Sequence, residues 1–264
     1  MSTAPGRGSK QPEVKQYMDY SRVAHFYDRY VDVTIDVPFF LKEAQPISGE
    51  VLELTAGTGR VSIPLIEAGV RLTCVDNSAE MLAVLRQKLE TRGLTADVRE
   101  MDMRALALGK SFELIFIPFH AFAELTAEAD QRAALAGIHA HLSESGRFIC
   151  TLHNPPVRLR RVDGQLRVWR TYPVEEGLGI MLGAEQYNPE THLVQGLQFY
   201  EVYDADGFLQ SKRVLETSFH LLEKERFQAL AESAGFKVEA LYGDYAYAAF
   251  DEATSPFMIW VLRP

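Results

Sequence analysis

Residues 51–60 read VLELTAGTGR, and 61–69 continue as VSIPLIEAG. A short apolar strand that runs into an acidic residue, two glycines one residue apart and then a helical stretch marks a strand, a tight turn and a helix. The turn needs small residues because the backbone bends sharply and leaves room for a ligand. Gly57 and Gly59 can adopt positive φ and place no Cβ in the way. The helix that starts near Arg60 offers free amide donors at its N-terminus. Taken alone, such a turn occurs in many nucleotide-binding folds and in ordinary tight turns.

Outward from this stretch the periods alternate. RLTCVD (71–76) reads as a second strand, and the helix after it is capped by Ser78 and ended by Gly93. TADVRE, FELIFIP and RFICTLH supply three more strands, with a helix over 126–142 capped by Thr126. Strands alternating with helices of this length predict an α/β fold with a parallel sheet covered on both faces. After Pro155 and Pro156 the rhythm breaks into about four strands with only turns between them, which predicts an inserted antiparallel β-meander over 155–221. A helix over 223–234 and two closing strands return to the first unit, so the α/β domain comprises 48–154 and 222–264. Residues 1–13, rich in Gly, Ser, Pro and Lys, are expected to be loose. Residues 14–47, with a dense run of aromatics from Tyr17 to Tyr30, are expected to form a helical lid.

Acidic residues close successive strands. Glu53 lies where a pyrophosphate would be repelled and a cationic amino acid moiety or sulfonium would be welcome. Asp76 ends the second strand, where a carboxylate can accept both hydroxyls of an adenosine ribose. Asp102 follows the third strand and could hold an adenine amino group beside the soft side chain of Met103. Three carboxylates in these places suit a cationic adenosine better than a phosphate-bearing cofactor.

Together ELTAGTGR, VDNSAEML, the acid before Met103 and FIPFHAFAEL resemble the class I S-adenosylmethionine-dependent methyltransferases, in particular the small-molecule group with an aromatic N-terminal helix and an inserted antiparallel sheet. The resemblance runs from about Tyr17 to the C-terminus. It implies a Rossmann-like, seven-stranded sheet whose last strand is antiparallel, with S-adenosyl-L-methionine laid over the ends of the first strands. It places the cofactor against residues 53–59, Asp76 with Asn77 and Met81, Asp102 with Met103, and Ile117 beside the transferred methyl. Tyr17 and Tyr27 are the tyrosines expected to cover it. Ala56 stands where many relatives carry glycine.

The methyl acceptor is expected at the ends of the fourth and fifth strands. His120 and His153 lie there and can titrate near neutrality, which makes them the candidate catalytic residues. Tyr30, Phe119, Arg170, Tyr203 and Tyr247 are candidate substrate contacts. No metal site is expected, since His139 and His141 sit two apart on a helix and share no face.

The 264 residues, 47% hydrophobic, suffice for a sizeable core. A net charge of -9 argues against a general nucleic-acid or anionic-membrane surface, and no apolar run is long enough for a signal or a span. Two cysteines inside apolar runs fit a cytoplasmic protein. The expected function is methylation of a nitrogen or oxygen of a small metabolite. RNA or protein methylation, and a non-catalytic cofactor-binding or interaction role, stay open as alternatives. A dinucleotide oxidoreductase fits poorly, because Glu53 stands in the path of the phosphates. The exposed edges of the meander admit a homodimer through the inserted sheet.

Overall fold

Where the aromatic run predicts one helix, the computed structural model, which describes residues 18–175 and 177–264, shows two 3-10 turns, Tyr20–Arg22 and Ala24–Phe26, and a single α-turn, α1 (Tyr27–Tyr30). The aromatics face in different directions, and one continuous helix would not place them so. Phe26 and Tyr30 pack on Tyr200 of the insert, with ring centroids 5.4 and 4.6 Å apart, whereas Tyr20 and Tyr27 turn toward a cavity. Helix α2 (Val37–Ala44) follows, with proline in its first turn, and buries Phe39 and Phe40.

The α/β unit then runs β1 (Val51–Leu54), α3 (Ser62–Glu67), β2 (Leu72–Asp76), α4 (Ala79–Arg92), β3 (Asp97–Glu100), β4 (Phe112–Ile117), α5 (Glu128–His141) and β5 (Leu142–His153). A short helix, α6 (Pro155–Arg158), leads to the insert, made of β6 (Arg167–Val174), β7 (Gly177–Asn188), β8 (Leu193–Asp204) and β9 (Leu209–His220). Helix α7 (Lys224–Ser233) returns the chain to β10 (Lys237–Tyr242) and β11 (Phe257–Arg263). The strands form a seven-stranded sheet in the order β10-β11-β5-β4-β1-β2-β3 and a separate four-stranded sheet, β6-β7-β8-β9. In the large sheet β11 alone runs against its neighbours, pairing antiparallel with β5 and β10, as the resemblance implies.

All four residues of β1 are buried, because the strand lies mid-sheet between β2 and β4 with helices on both faces. Ser78 caps α4 by accepting from the Met81 amide, and Gly93 ends it at φ 65°. Thr126 is not a cap: α5 starts at Glu128 behind Ala127, which makes no side-chain cap bond.

The strand order reverses between β1 and β4, and in open α/β sheets the crevice at such a point, beyond the carboxyl ends of the strands, is where ligands bind. The N-terminal segment is tied to that crevice. The Thr58 hydroxyl donates to Asp28 at 2.6 Å, and Arg60 donates to the buried Asp36 and to the Val33 carbonyl at 2.7 Å. Among the described residues no helix is long and apolar enough to cross a membrane.

Candidate active site

A cavity of about 1110 Å³ opens at the carboxyl ends of β1 and β4, roofed by the N-terminal segment and by one face of the inserted sheet. That exceeds the ~300–1,000 Å³ of a single ligand pocket and leaves room for a cofactor and a second small molecule. Glu53, Ala56, Gly57, Asp76 and Met81 line its inner end, Tyr20 and Tyr27 its roof, and Phe119, His120 and His153 the wall made by the ends of β4 and β5. The backbone is strained just here. Thr55, Phe119 and His120 hold φ of 60°, 55° and 65° although none is glycine. Arg60 lies over the Phe119 ring, 4.7 Å from its centroid, and links the glycine turn to the end of β4.

The two glycines do different work. Gly57, at φ 56°, lines the cavity and donates its amide to Asp76 Oδ2 at 2.8 Å. Gly59 does not reach the cavity. At φ 87° a Cβ there would lie 2.4 Å from Leu85 Cδ1, so this glycine lets the turn pack against α4.

Four carboxyls line the cavity: Glu185 pairs with Arg158, whereas Glu53, Asp76 and Glu124 form no ion pair among the described residues. Burial pushes Glu53 and Glu124 each up to about 8, and it raises Asp76 against the pull of the Ser78 and Gly57 amides. Glu53 accepts from the Ser62 hydroxyl at 2.5 Å, and Glu124 from the Tyr20 hydroxyl at 3.1 Å. A set of buried, uncompensated carboxyls fits a cationic ligand and does not fit a pyrophosphate. S-adenosylmethionine, with its sulfonium and ammonium, meets that requirement.

A pH dependence of stability follows. Between the ordinary value of 4.5 and about 8, Glu53 and Glu124 hold protons in the fold that the unfolded chain has released. The unfolded chain binds fewer protons there, so stability falls as pH rises through the window. His120 and His153 act oppositely, only below the imidazole's ordinary 6.5. Thermal unfolding of the cofactor-free protein is therefore expected to shift to lower temperature from about pH 6.5 to about pH 8, with a shallower slope in Glu53→Gln. A slope unchanged by that substitution would show that Glu53 is ionised in the fold.

His120 and His153 stack with centroids 3.8 Å apart and planes at 25°. Burial pushes His120 down to about 3, helped by the nearby Arg158 charge. Burial, with His120 beside it, holds His153 well below the imidazole range. Both rings are neutral near pH 7. The His120 amide donates to Thr151 Oγ1 at 3.2 Å, and its Nδ1 is buried with no hydrogen-bond partner among the described residues.

The remaining expected site residues divide. Asn77, Asp102 and Met103 line a smaller hollow of about 60 Å³ that shares Tyr20, Thr55, Asp76 and Glu124 with the main cavity. The Asp102 carboxylate is held there by Arg104, which donates its amide at 2.8 Å and Nη2 at 2.6 Å. Ile117 is fully buried among Leu52 and Leu54, and the cavity wall begins one residue later, at Pro118. Tyr30 is sunk in the aromatic cluster with Tyr200 and does not line the cavity. Arg170 also points elsewhere: it donates to the Tyr30 carbonyl at 2.9 Å and pairs with Asp32, fastening lid to insert. Tyr203 lies on the other face of β8 from cavity-lining Gln198 and donates to Glu201 at 2.6 Å. Tyr247 packs on Phe39 and donates to Glu43 at 2.8 Å, both on α2, and does not line the cavity. Tyr17 lies outside the described residues.

Glu124, and the arginines Arg158, Arg160 and Arg161 at the cavity's outer end, also line the cavity and are not among the expected site residues. Glu124 stands four residues after His120 within FHAFAEL, and its place in that segment is the sequence signal for it. The run RLRR at 158–161, in an acidic chain and directly after the fifth strand, was the signal for the arginines.

Comparison with known proteins bears on the same residues. A family model described as "Methyltransferase domain" matches residues 51–146. The cypemycin N-terminal methyltransferase of a Streptomyces species is 30% identical over 213 residues, 76% of this chain and 78% of that protein. A glycine/sarcosine N-methyltransferase of Halorhodospira halochloris is 26% identical, covering 90% of this chain and 89% of its own. Among solved structures, an S-adenosylmethionine-dependent methyltransferase from Clostridium acetobutylicum superposes with a TM-score of 0.78 at 19% identity, over 92% of this chain and 98% of that one.

Proposed function

This chain belongs to the class I S-adenosylmethionine-dependent methyltransferases, and from that premise we propose that it methylates an amine nitrogen of a small metabolite held between the glycine turn and the inserted sheet. When bound, the cofactor supplies an electrophilic methyl group and leaves as S-adenosylhomocysteine. In this reading Asp76 accepts the ribose hydroxyls, Glu53 faces the ammonium, and the Asn77, Asp102 and Met103 hollow takes the adenine. Tyr20 and Tyr27 cover the sulfonium with aromatic faces and keep water out.

The observation that carries the nitrogen assignment is Glu124, a carboxyl with no cationic partner among the described residues, at the junction of cavity and hollow. An amine arrives protonated and is a nucleophile only after its proton leaves. A carboxyl raised toward the pKa of an amine is suited to take that proton. His120 and His153, held neutral, accept or donate hydrogen bonds and orient the acceptor without carrying charge. Of the relatives named above, one is a glycine/sarcosine N-methyltransferase and another an N-terminal methyltransferase, which favours the same reading.

The test is turnover. With S-adenosylmethionine and separate pools of small amines, phenols and carboxylic acids, S-adenosylhomocysteine is expected to form at least tenfold faster with amines. Faster turnover of phenols would overturn the nitrogen assignment. No calorimetric binding of S-adenosylhomocysteine would overturn the cofactor site.

Two narrower points belong to the same proposal. A cytoplasmic location fits Cys74 and Cys150, two buried free thiols, and recovery of the protein outside the cytoplasmic fraction of cells would contradict it. A two-fold dimer through the outer face of the inserted sheet fits the exposure of Leu178, Leu197 and Val214, and a single-chain mass by light scattering would remove it.

A further inference from the structure

The cavity changes sign along its length. Its inner end is lined by Glu53, Asp76 and Glu124, its outer end by Arg158, Arg160, Arg161 and Arg167. In a chain of net charge -9, four guanidiniums around one opening are a local reversal. Two of them are neutralised in place, Arg158 by the buried Glu185 and Arg167 by Asp163, whose oxygen it meets at 2.6 Å. Arg160 donates Nη2 to the Ala253 carbonyl at 2.8 Å, which fixes its position and leaves its charge uncancelled. Arg161 follows it in the 3-10 turn Leu159–Arg161, and neither meets a carboxylate among the described residues. The outer end thus keeps two unpaired positive charges, next to each other in sequence.

The same end offers more than charge. Trp169 sits at the irregularity in the pairing of β6 with β7, packs over Gly183, and is 40% exposed. A Cβ on Gly183 would come within 2.3 Å of the ring, so the glycine is what lets the indole lie there. Gln165 and Gln198 line the cavity beside it and supply amide donors. Guanidiniums, amide donors and an aromatic wall are what an anion on a small organic body requires.

We infer that the methyl acceptor carries a carboxylate or phosphate as well as its amine, and that Arg160 and Arg161 hold this anion at the outer end of the cavity. The inference rests on the amine methyltransferase reading above and extends it: the nitrogen faces Glu124 and the paired imidazoles, and the anion reaches the arginine turn. Two free guanidiniums in an acidic chain match a small anion and fall short of the extended basic track a nucleic acid needs.

The test uses the full-length protein, alone and saturated with S-adenosylhomocysteine, titrated by calorimetry at low salt with inorganic pyrophosphate and, separately, with succinate. Saturable binding of one of them is expected. It should weaken at least tenfold in the Arg160→Gln, Arg161→Gln double variant and persist in the Arg160→Lys, Arg161→Lys variant. S-adenosylhomocysteine affinity should stay within twofold throughout, which shows that the variants are folded. Tighter binding of pyrophosphate assigns a phosphorylated acceptor, and tighter binding of succinate a carboxylated one. No saturable binding of either, or equal binding in the glutamine variant, overturns the subsite. Anion binding through the arginines in a protein that ignores S-adenosylhomocysteine would instead overturn the cofactor site and leave the anion subsite standing.

Discussion

Asp76→Ala is expected to lower affinity for S-adenosylmethionine and S-adenosylhomocysteine by about two orders of magnitude or more. The carboxylate already accepts the Gly57 amide at 2.8 Å and the Ser78 amide at 2.9 Å, one on each oxygen, and so joins the turn after β1 to the start of α4. Its remaining lone pairs face the cavity, where the ribose hydroxyls are proposed to lie. Hydrogen bonds to a charged group contribute about 1.5–3 kcal/mol each. Losing two of them corresponds to about 3–6 kcal/mol, and every ~1.4 kcal/mol is tenfold in affinity. The alanine also leaves the Gly57 and Ser78 amides without their acceptor, which loosens the turn and adds to the loss. Asp76→Asn keeps an acceptor but not the charge, and should fall between. Calorimetry with the demethylated product gives both numbers. An affinity within threefold of wild type in Asp76→Ala would move the ribose elsewhere.

The contrast between Asp76 and Tyr247 shows what a sequence can locate. Asp76 was readable because its place follows from backbone alone: an acid at the end of the strand after a glycine turn has one geometric position in an alternating α/β sheet. The same holds for Glu53, Gly57 and Met81, and for the two histidines after β4 and β5, all of which line one cavity. Tyr203, Tyr247 and Arg170 depended on which way a strand or loop presents its side chains. Period-two alternation leaves that choice open until the register is known, and on β8 the register put Gln198 and Tyr200 inward and Tyr203 outward. Gly59 has the positive φ expected of it but lies off the cavity, for a related reason. A motif records that a glycine is needed but not what crowds it, and here the crowding atom is Leu85 of α4. The aromatic N-terminal segment showed its apolar content and concealed its breaks, because propensity favours helix where contacts with Tyr200 and the glycine turn require short turns instead.

Glu124→Gln is expected to lower kcat by about 100-fold, within the ~10²–10⁴ that a positioned proton acceptor supplies, while KM changes little. Glutamine has the same shape and can still accept from the Tyr20 hydroxyl, so the change removes a proton acceptor and leaves the packing. The pH profile separates this role from a structural one. In the cofactor-free protein burial holds Glu124 up to about 8, and a bound sulfonium nearby favours the carboxylate and lowers that value. The active form is the carboxylate, so wild-type kcat should rise with pH through an inflection between 4.5 and about 8. In Glu124→Gln that inflection should vanish, and what rate survives should follow only the acceptor amine's own loss of its proton at higher pH. If kcat instead stayed within threefold of wild type with the inflection in place, the proton would have another destination. The paired imidazoles would not serve as they stand, since burial keeps His120 near 3, far too weak a base for an ammonium. The acceptor would then have to lose its proton to water before binding, and the rate would track the concentration of free amine with or without Glu124.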